Sequence, residues 1–301
     1  MRAVVVGAVG STEVLINSLI ASPDWDLVLV VTVPTELHGR HSDIVDLAEL
    51  TKTAGAALHF TARTNDEQTL GAVRRAAADY IFVVGWSQLC GPEFLALNPG
   101  RVVGYHPAAL PRLRGRAVIP WTILLEEKIT AGSLFWLGEG TDDGDLIAQE
   151  FFHVAQDETA ASLYDRHMRA LDTMLARVLP QLADGLQPRI PQDERYATYA
   201  AKRTPAEGLI SWASGAREID RLVRAVGRPY PGAFSYLGDE KLTLWNTVPV
   251  SGDGRHHALP GQIVQCDERS FVIQTGDGLL KVDDWELEGP SLLRIHAILG
   301  R

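Results

Sequence analysis

The residues whose types and spacing can carry chemistry crowd into one stretch, residues 102–149. His106 follows directly on the apolar run Val102–Tyr105. Its imidazole is therefore expected at the C-terminal edge of a sheet, where ligand sites of open α/β folds collect. Pro107 and Pro111 stiffen the loop beyond it, and Arg112, Arg114 and Arg116 place three cations within five residues. Further on, Asp142, Asp143 and Asp145 occupy a glycine-flanked turn, a setting that loops use to approach a ligand closely. A His and an Asp that converge can act as a general base with an orienting partner. Clustered arginines can clamp a phosphate or a carboxylate. Singly, each feature also has an ordinary structural reading: a strand-end imidazole satisfied by its neighbours, a solvated acidic turn, a hydrated basic surface.

The elements that must position these side chains follow from the hydrophobic pattern. Residues 2–6, 26–34, 57–60, 80–84 and 102–105 are short apolar runs, and helical segments separate them, among them Val14–Ala21 and Leu70–Ala78. Continuous apolar strands alternating with helices predict a Rossmann-like α/β domain with a parallel sheet covered on both faces. Apolar residues at helical spacing between Glu158 and Leu182 predict one long helix closing a first domain, residues 1–186. The polar, proline-containing segment 187–203 is expected to be a linker. Beyond it, in residues 204–301, a helix over Ala216–Ala225 precedes short strands separated by turn signals. That spacing predicts a small C-terminal antiparallel, OB-like β-barrel.

Composition limits the function. The chain of 301 residues is 46% hydrophobic and 22% charged, as in packed globular proteins, and its length suits two domains. No apolar run is long enough for a membrane span, and the start MRAVVVGAVG lacks a signal-peptide plan, so a cytoplasmic protein is expected. Cys90 and Cys266 lie far apart with no CxxC, which argues against a disulfide framework or a thiolate zinc site. His38 and His41, near Asp43, lack a third convergent ligand, and no metal site is expected. The net charge of −10 argues against a general nucleic-acid binder but suits a small anionic substrate held by a few arginines. Gly7 and Gly10 do not complete GxGxxG, and no Walker pattern occurs. The turn at Gly10 and Ser11 can still offer helix N-terminal amides to a substrate phosphate, or Ser11 can simply cap the helix.

Together the motifs resemble one family. His106-Pro107, Leu110-Pro111, Arg114-Gly115 and Trp121, followed by Gly140-Thr141-Asp142-Asp143-Gly144-Asp145 and Gln149, resemble the pattern HPxxLPxxRG…GxDxGDxxxQ of formyltransferases that use 10-formyltetrahydrofolate. The likeness continues through 201–212, 221–245 and 261–282, which look like the second domain of methionyl-tRNA and sugar formyltransferases. The resemblance implies transfer of a formyl group from N10 of the folate to an amine. It implies that His106 is the proton-transfer group and oxyanion stabiliser, with Asp142 orienting it. It implies a folate slot formed by Trp86 and Leu89 on one side and Leu137, Glu139, Gly140 and Thr141 on the other.

One catalytic position departs from the family: Gly104 stands where the family has Asn. Gln88 is the expected substitute, because it carries the same amide, while ordered water or a folate-binding protein without turnover are the other readings. The acceptor implied first is a nucleotide-linked amino sugar, with Gly10, Ser11, Arg114 and Arg116 as its phosphate contacts. Initiator methionyl-tRNA or another small amine are the alternatives, and a homodimer is left open.

Overall fold

The computed structural model describes residues 1–40, 43–251 and 256–300; His41 lies outside them. The chain divides into two compact units. The first comprises Met1–Val118, Lys128–Val154 and Tyr164–Ala201.

Its strands are β1 (Arg2–Val6), β2 (Asp26–Thr32), β3 (Ala57–Phe60), β4 (Tyr80–Val83), β5 (Val102–His106), β6 (Arg114–Gly115), β7 (Ile129–Trp136), β8 (Leu146–His153) and β9 (Tyr199–Ala200). Seven of them form one sheet in the order β3-β2-β1-β4-β5-β7-β8. The five expected strands, β1 to β5, are parallel. The sheet is nevertheless mixed, because β7 runs antiparallel to β5 and β8 antiparallel to β7.

Alternation along β1 shows why both faces are covered. Ala3 and Val5 join a core with Leu15, Ile16 and Leu19 of helix α1 (Gly10–Ala21) and Leu171, Met174 and Leu175 of the long helix that ends at Ala183. Val4 and Val6 join a second core on the other face, with Leu70 and Val73 of the helix Glu67–Ala76 and with Phe94. Each face thus removes a continuous aliphatic layer from water, the main favourable term in such a unit.

Strand order reverses between β1 and β4, the topological switch point at which α/β sheets open a crevice. There the backbones approach closely: a Cβ on Gly7 would lie 2.0 Å from the Val84 carbonyl oxygen. The expected helix at Val14 starts earlier, at Gly10. The Thr12 hydroxyl explains this, since it accepts from the Val9 amide at 3.2 Å and donates to the Val84 carbonyl at 2.7 Å. That pair supplies an N-terminal cap and ties the helix to the end of β4.

Residues 187–201, expected as a linker, belong to this first unit. The backbone of β9 pairs in parallel with β6, Arg114 opposite Tyr199 and Gly115 opposite Ala200. The polar side chains that suggest a solvated connection are instead partners of buried groups, as shown below.

The second unit contains Ile119–Glu127, Ala155–Leu163 and Lys202–Arg301. Strands β10 (Ala233–Leu237), β11 (Glu240–Val250), β12 (Ile263–Cys266), β13 (Phe271–Gln274) and β14 (Leu279–Leu287) form an antiparallel sheet, ordered β10-β11-β14-β13-β12. The expected strands are all present, but no ladder joins β10 to β12 among the described residues, so the sheet is open where a closed barrel was expected. The helix Ala216–Val226 carries Asp220, which accepts from the Thr247 hydroxyl on β11 and from Arg224 Nε, both at 2.9 Å.

Asp220 and Thr247 are both buried. Asp220→Ala leaves the Thr247 hydroxyl without its acceptor and is expected to cost about 2–3 kcal/mol. Chemical denaturation of the two proteins checks this, with the double variant Asp220→Ala/Thr247→Val expected to lose less than Asp220→Ala because it removes the orphaned hydroxyl as well.

Candidate functional site

His106 closes β5, and its ring is only 5% exposed. One ring nitrogen, Nε2, lies 2.7 Å from the Leu113 carbonyl oxygen. A carbonyl only accepts, so Nε2 carries the hydrogen, and in the neutral ring the lone pair resides on Nδ1. Nδ1 faces Asp142 Oδ2 at 3.5 Å. Protonation of the ring therefore places an N–H against a carboxylate oxygen.

Asp142 reaches His106 by way of the loop 137–145. The loop starts beside the beginning of β5, where the Leu137 amide donates to the Val102 carbonyl, and it carries Asp142 back to the strand's far end. The antiparallel course of β7 makes this return possible. Asp142 has a left-handed backbone, φ +51°, uncommon outside glycine. Its Oδ2 accepts from the Gly115 amide at 2.8 Å. That amide is available because the strand pairing uses the flanking Arg114 and Arg116 amides, and glycine is required there: at φ +107°, a Cβ would meet the Ala200 carbonyl oxygen at 2.5 Å. His106 and Asp142, paired by the family resemblance, are thus brought together, and the backbone of the RG dipeptide holds the carboxylate.

Other predicted residues take different places. Gln88 does not substitute for the family's Asn. Its Oε1 accepts from the Thr64 amide at 3.0 Å and the Thr64 hydroxyl at 3.2 Å, and its Nε2 donates to the Ala62 carbonyl at 2.9 Å. The space in front of Gly104 is filled by apolar groups: a Cβ there would lie 2.9 Å from the Phe135 ring and 3.1 Å from Leu137 Cδ2.

Arg114 does not present a free cation to a ligand. It is 1% exposed, pairs with both Glu194 oxygens at 2.6 and 3.0 Å, and donates to Gln192 Oε1 at 2.8 and 3.2 Å. The Glu194 bonds hold this guanidinium further on its charged side, and the same bonds lower the Glu194 carboxyl. Arg116 is exposed. Gly10 and Ser11 open α1 at the switch point, with Ser11 buried.

Trp86 is half-buried, and its indole N–H donates to the Thr64 hydroxyl at 2.6 Å. Leu89 is 74% exposed, whereas Leu137 packs partly against two apolar clusters. Glu139, Gly140 and Thr141 are exposed on the loop that delivers Asp142. Among the described residues no group of three His, Cys, Asp or Glu side chains converges on a metal position. Nor is any helix long and apolar enough to cross a membrane.

Sequence reasoning missed Gln192, whose side chain bonds the acidic turn at two backbone carbonyls. Its one signal was membership of a polar run with no hydrophobic period.

On the other face of β5, Tyr105 packs toward the first core and donates to the His167 carbonyl at 3.1 Å. His167 is fully buried, with Nε2 unpartnered. Burial, reinforced by the charge of His106, pushes its pKa down to about 3.

Comparison with known proteins identifies the family. Residues 1–179 match the formyl transferase family, and residues 202–301 match the formyl transferase C-terminal domain; the chain belongs to this family. The N-formyltransferase from Helicobacter canadensis, solved with folinic acid and dTDP-3-aminofucose, superposes with a TM-score of 0.69 at 15% identity, over 95% of this chain and 100% of that one. WlaRD, a sugar 3N-formyl transferase solved with dTDP and 5-N-formyl-THF, gives 0.67 at 14% identity, over 94% and 97%. HypX from Aquifex aeolicus, solved with tetrahydrofolic acid, gives 0.67 at 18% identity over 94% of this chain, which spans 43% of the HypX chain. These likenesses are of fold.

Two outcomes follow. Gly104→Asn must displace the Phe135 ring, so it is expected to destabilise the first unit by about 1–3 kcal/mol and to leave formyl transfer no faster. Thermal unfolding and a turnover assay on one preparation check both. For His167, the folded pKa lies below the unfolded value of about 6.5, so the unfolded chain binds the extra proton. Its contribution to stability is full above pH 6.5 and is lost as pH falls toward about 3. His167→Phe is expected to flatten the stability–pH curve over that window.

Proposed function

We propose that this chain moves a formyl group from 10-formyltetrahydrofolate to the amine of a nucleotide-linked amino sugar. The observation that carries the chemistry is the buried His106 ring facing the partly buried Asp142 carboxylate at the C-terminal edge of β5, in a chain matched by both formyl transferase domains. The sugar reading is supported by full-length agreement in fold with two sugar formyltransferases. The net charge of −10, ill-suited to a polyanion such as tRNA, supports it further.

The reaction divides into charge changes that this pair can accommodate. A neutral amine attacks the formyl carbon, forming a C–N bond and a tetrahedral oxyanion. The amine then loses a proton, and the bond between carbon and N10 of the folate breaks. With Nε2–H fixed on the Leu113 carbonyl, Nδ1 is the nitrogen of His106 that takes this proton. The facing Asp142 carboxylate stabilises the imidazolium that results. That cation then stabilises the oxyanion and returns its proton to the departing folate nitrogen.

Where the family has an Asn donor, this chain has the Phe135 ring against Gly104. Oxyanion stabilisation therefore falls more heavily on His106. Donors of this kind are each worth roughly 10²–10³ in rate.

The folate is held between Trp86 and Leu89 on one side and the loop carrying Leu137, Glu139, Gly140 and Thr141 on the other. The exposed Leu89 supplies an apolar surface for a flat pterin. The α1 start at Gly10 and Ser11, together with the exposed Arg116, faces the acceptor's phosphates. Arg114 has no part in this, because its guanidinium is already paired.

Tetrahydrofolate release from 10-formyltetrahydrofolate, measured with dTDP-linked amino sugars, amino acids and methionyl-tRNA, tests the reading. Turnover with the amino sugars is expected. Turnover with charged tRNA alone would reverse the choice of acceptor. His106→Ala and Asp142→Ala are each expected to lower kcat by at least about 100-fold with the fold retained. Rates like those of the unaltered chain in either variant would remove the mechanism.

A further inference from the structure

A carboxylate on a turn works only if the turn is held, and the hold on Asp142 comes from a segment that carries no catalytic motif. The Gln192 amide nitrogen donates to two backbone carbonyls of the acidic turn, Asp142 and Gly144, each at 2.8 Å. Its oxygen accepts from Arg114 Nη2 at 2.8 Å and Nε at 3.2 Å. The amide orientation is fixed by chemistry, since carbonyls only accept and a guanidinium only donates. Arg114 is itself locked by Glu194 and by the Tyr199 hydroxyl at 3.3 Å. The next residue, Gly115, donates its amide to the Asp142 carboxylate. Glu194, Arg114, Gln192 and the turn thus form one chain of bonds that ends on the carboxylate facing His106.

We propose that Gln192 is a positioning residue for formyl transfer. It pins the left-handed backbone at Asp142 so that the carboxylate meets both the Gly115 amide and His106. The inference rests on the reading of Asp142 given above. The requirement is for a side chain with a double donor at one pole and an acceptor at the other. Among residues of this length only Gln meets it, while Glu, of the same shape, keeps the acceptor and loses the donor.

The test compares the unaltered full chain with Gln192→Glu, Gln192→Ala and Asp142→Asn. Its direct readout is NMR hydrogen exchange at three amides. The Gly115 amide reports Asp142, whereas the Arg114 and Arg116 amides donate to the Thr198 and Ala200 carbonyls and report the neighbouring strand pairing. In both Gln192 variants, Gly115 exchange is expected to rise by about tenfold or more, with Arg114 and Arg116 unchanged. The kcat for tetrahydrofolate release with a dTDP-linked amino sugar is expected to fall by about tenfold, with KM for the folate changed by less than about twofold.

Unchanged exchange at Gly115 would overturn the proposal. Equal loosening of all three amides would overturn it too, because Gln192 would then serve only the packing of Arg114. The exchange arm needs no acceptor, so it decides the point even where the amino sugar proves to be the wrong substrate. An Asp142→Asn variant with undiminished turnover would overturn the role of Asp142, and with it any catalytic consequence of Gln192.

Discussion

The site depends on holding an aspartate from one loop against a buried imidazole at the end of a strand. In the proposed mechanism, a carboxylate 3.5 Å from Nδ1 can stabilise a transient imidazolium only if it stays there through each proton transfer. A solvated turn does not do this, since exposed ion pairs are weak and mobile. The chain meets the requirement with backbone groups: the Gly115 amide on the carboxylate and the Leu113 carbonyl on the far ring nitrogen. Both come from the one loop after β5, so a single segment orients the imidazole and its partner together.

Sheet topology serves the same end. Five parallel strands bring the β1, β4 and β5 termini to one edge, a common arrangement for ligand crevices. A sixth parallel strand would have needed a crossover helix. The antiparallel β7 instead lets the chain turn beside β5 and return Asp142 to that edge over a short loop. Strand β7 itself sets Phe135 opposite Gly104, and the loop adds Leu137, so the absence of a side chain at that position is matched by an aromatic ring. Gly104 is thus part of a packed apolar contact, and a polar donor there would face a surface offering it no partner.

The parts of the fold set by local pattern were legible in the sequence. The parallel strands, the long helix and the five C-terminal strands all follow hydrophobic periodicity or turn residues, and His106 and Asp142 stood out by their motif spacing. Strands β7 and β8 were not found. The first is buried through most of its length, with no alternation, and the second alternates only in its outer half. Gln88 and Arg114 went astray for a different reason. Residue type says what a side chain can bond, and not which partner it meets. The Gln88 amide finds Thr64 and Ala62, and the Arg114 guanidinium turns inward to Glu194 and Gln192.

Arg114 shows why such a residue belongs beside the His106–Asp142 pair with its guanidinium turned inward. Burying a guanidinium is costly unless its donors are filled, and leaving one end of such a pair unmatched is worse. Once Glu194 and Gln192 fill them, the guanidinium becomes a rigid, planar hub, because its five donors have fixed directions. A lysine ammonium would satisfy the charge but could not set the direction of the Gln192 amide. The direction matters, since the opposite pole of that amide must meet the Asp142 and Gly144 carbonyls at once. The cation in the RG dipeptide is thus used for its shape, and its neighbour Gly115 for its bare backbone. Between them they convert a segment free of hydrophobic pattern into the support of the site.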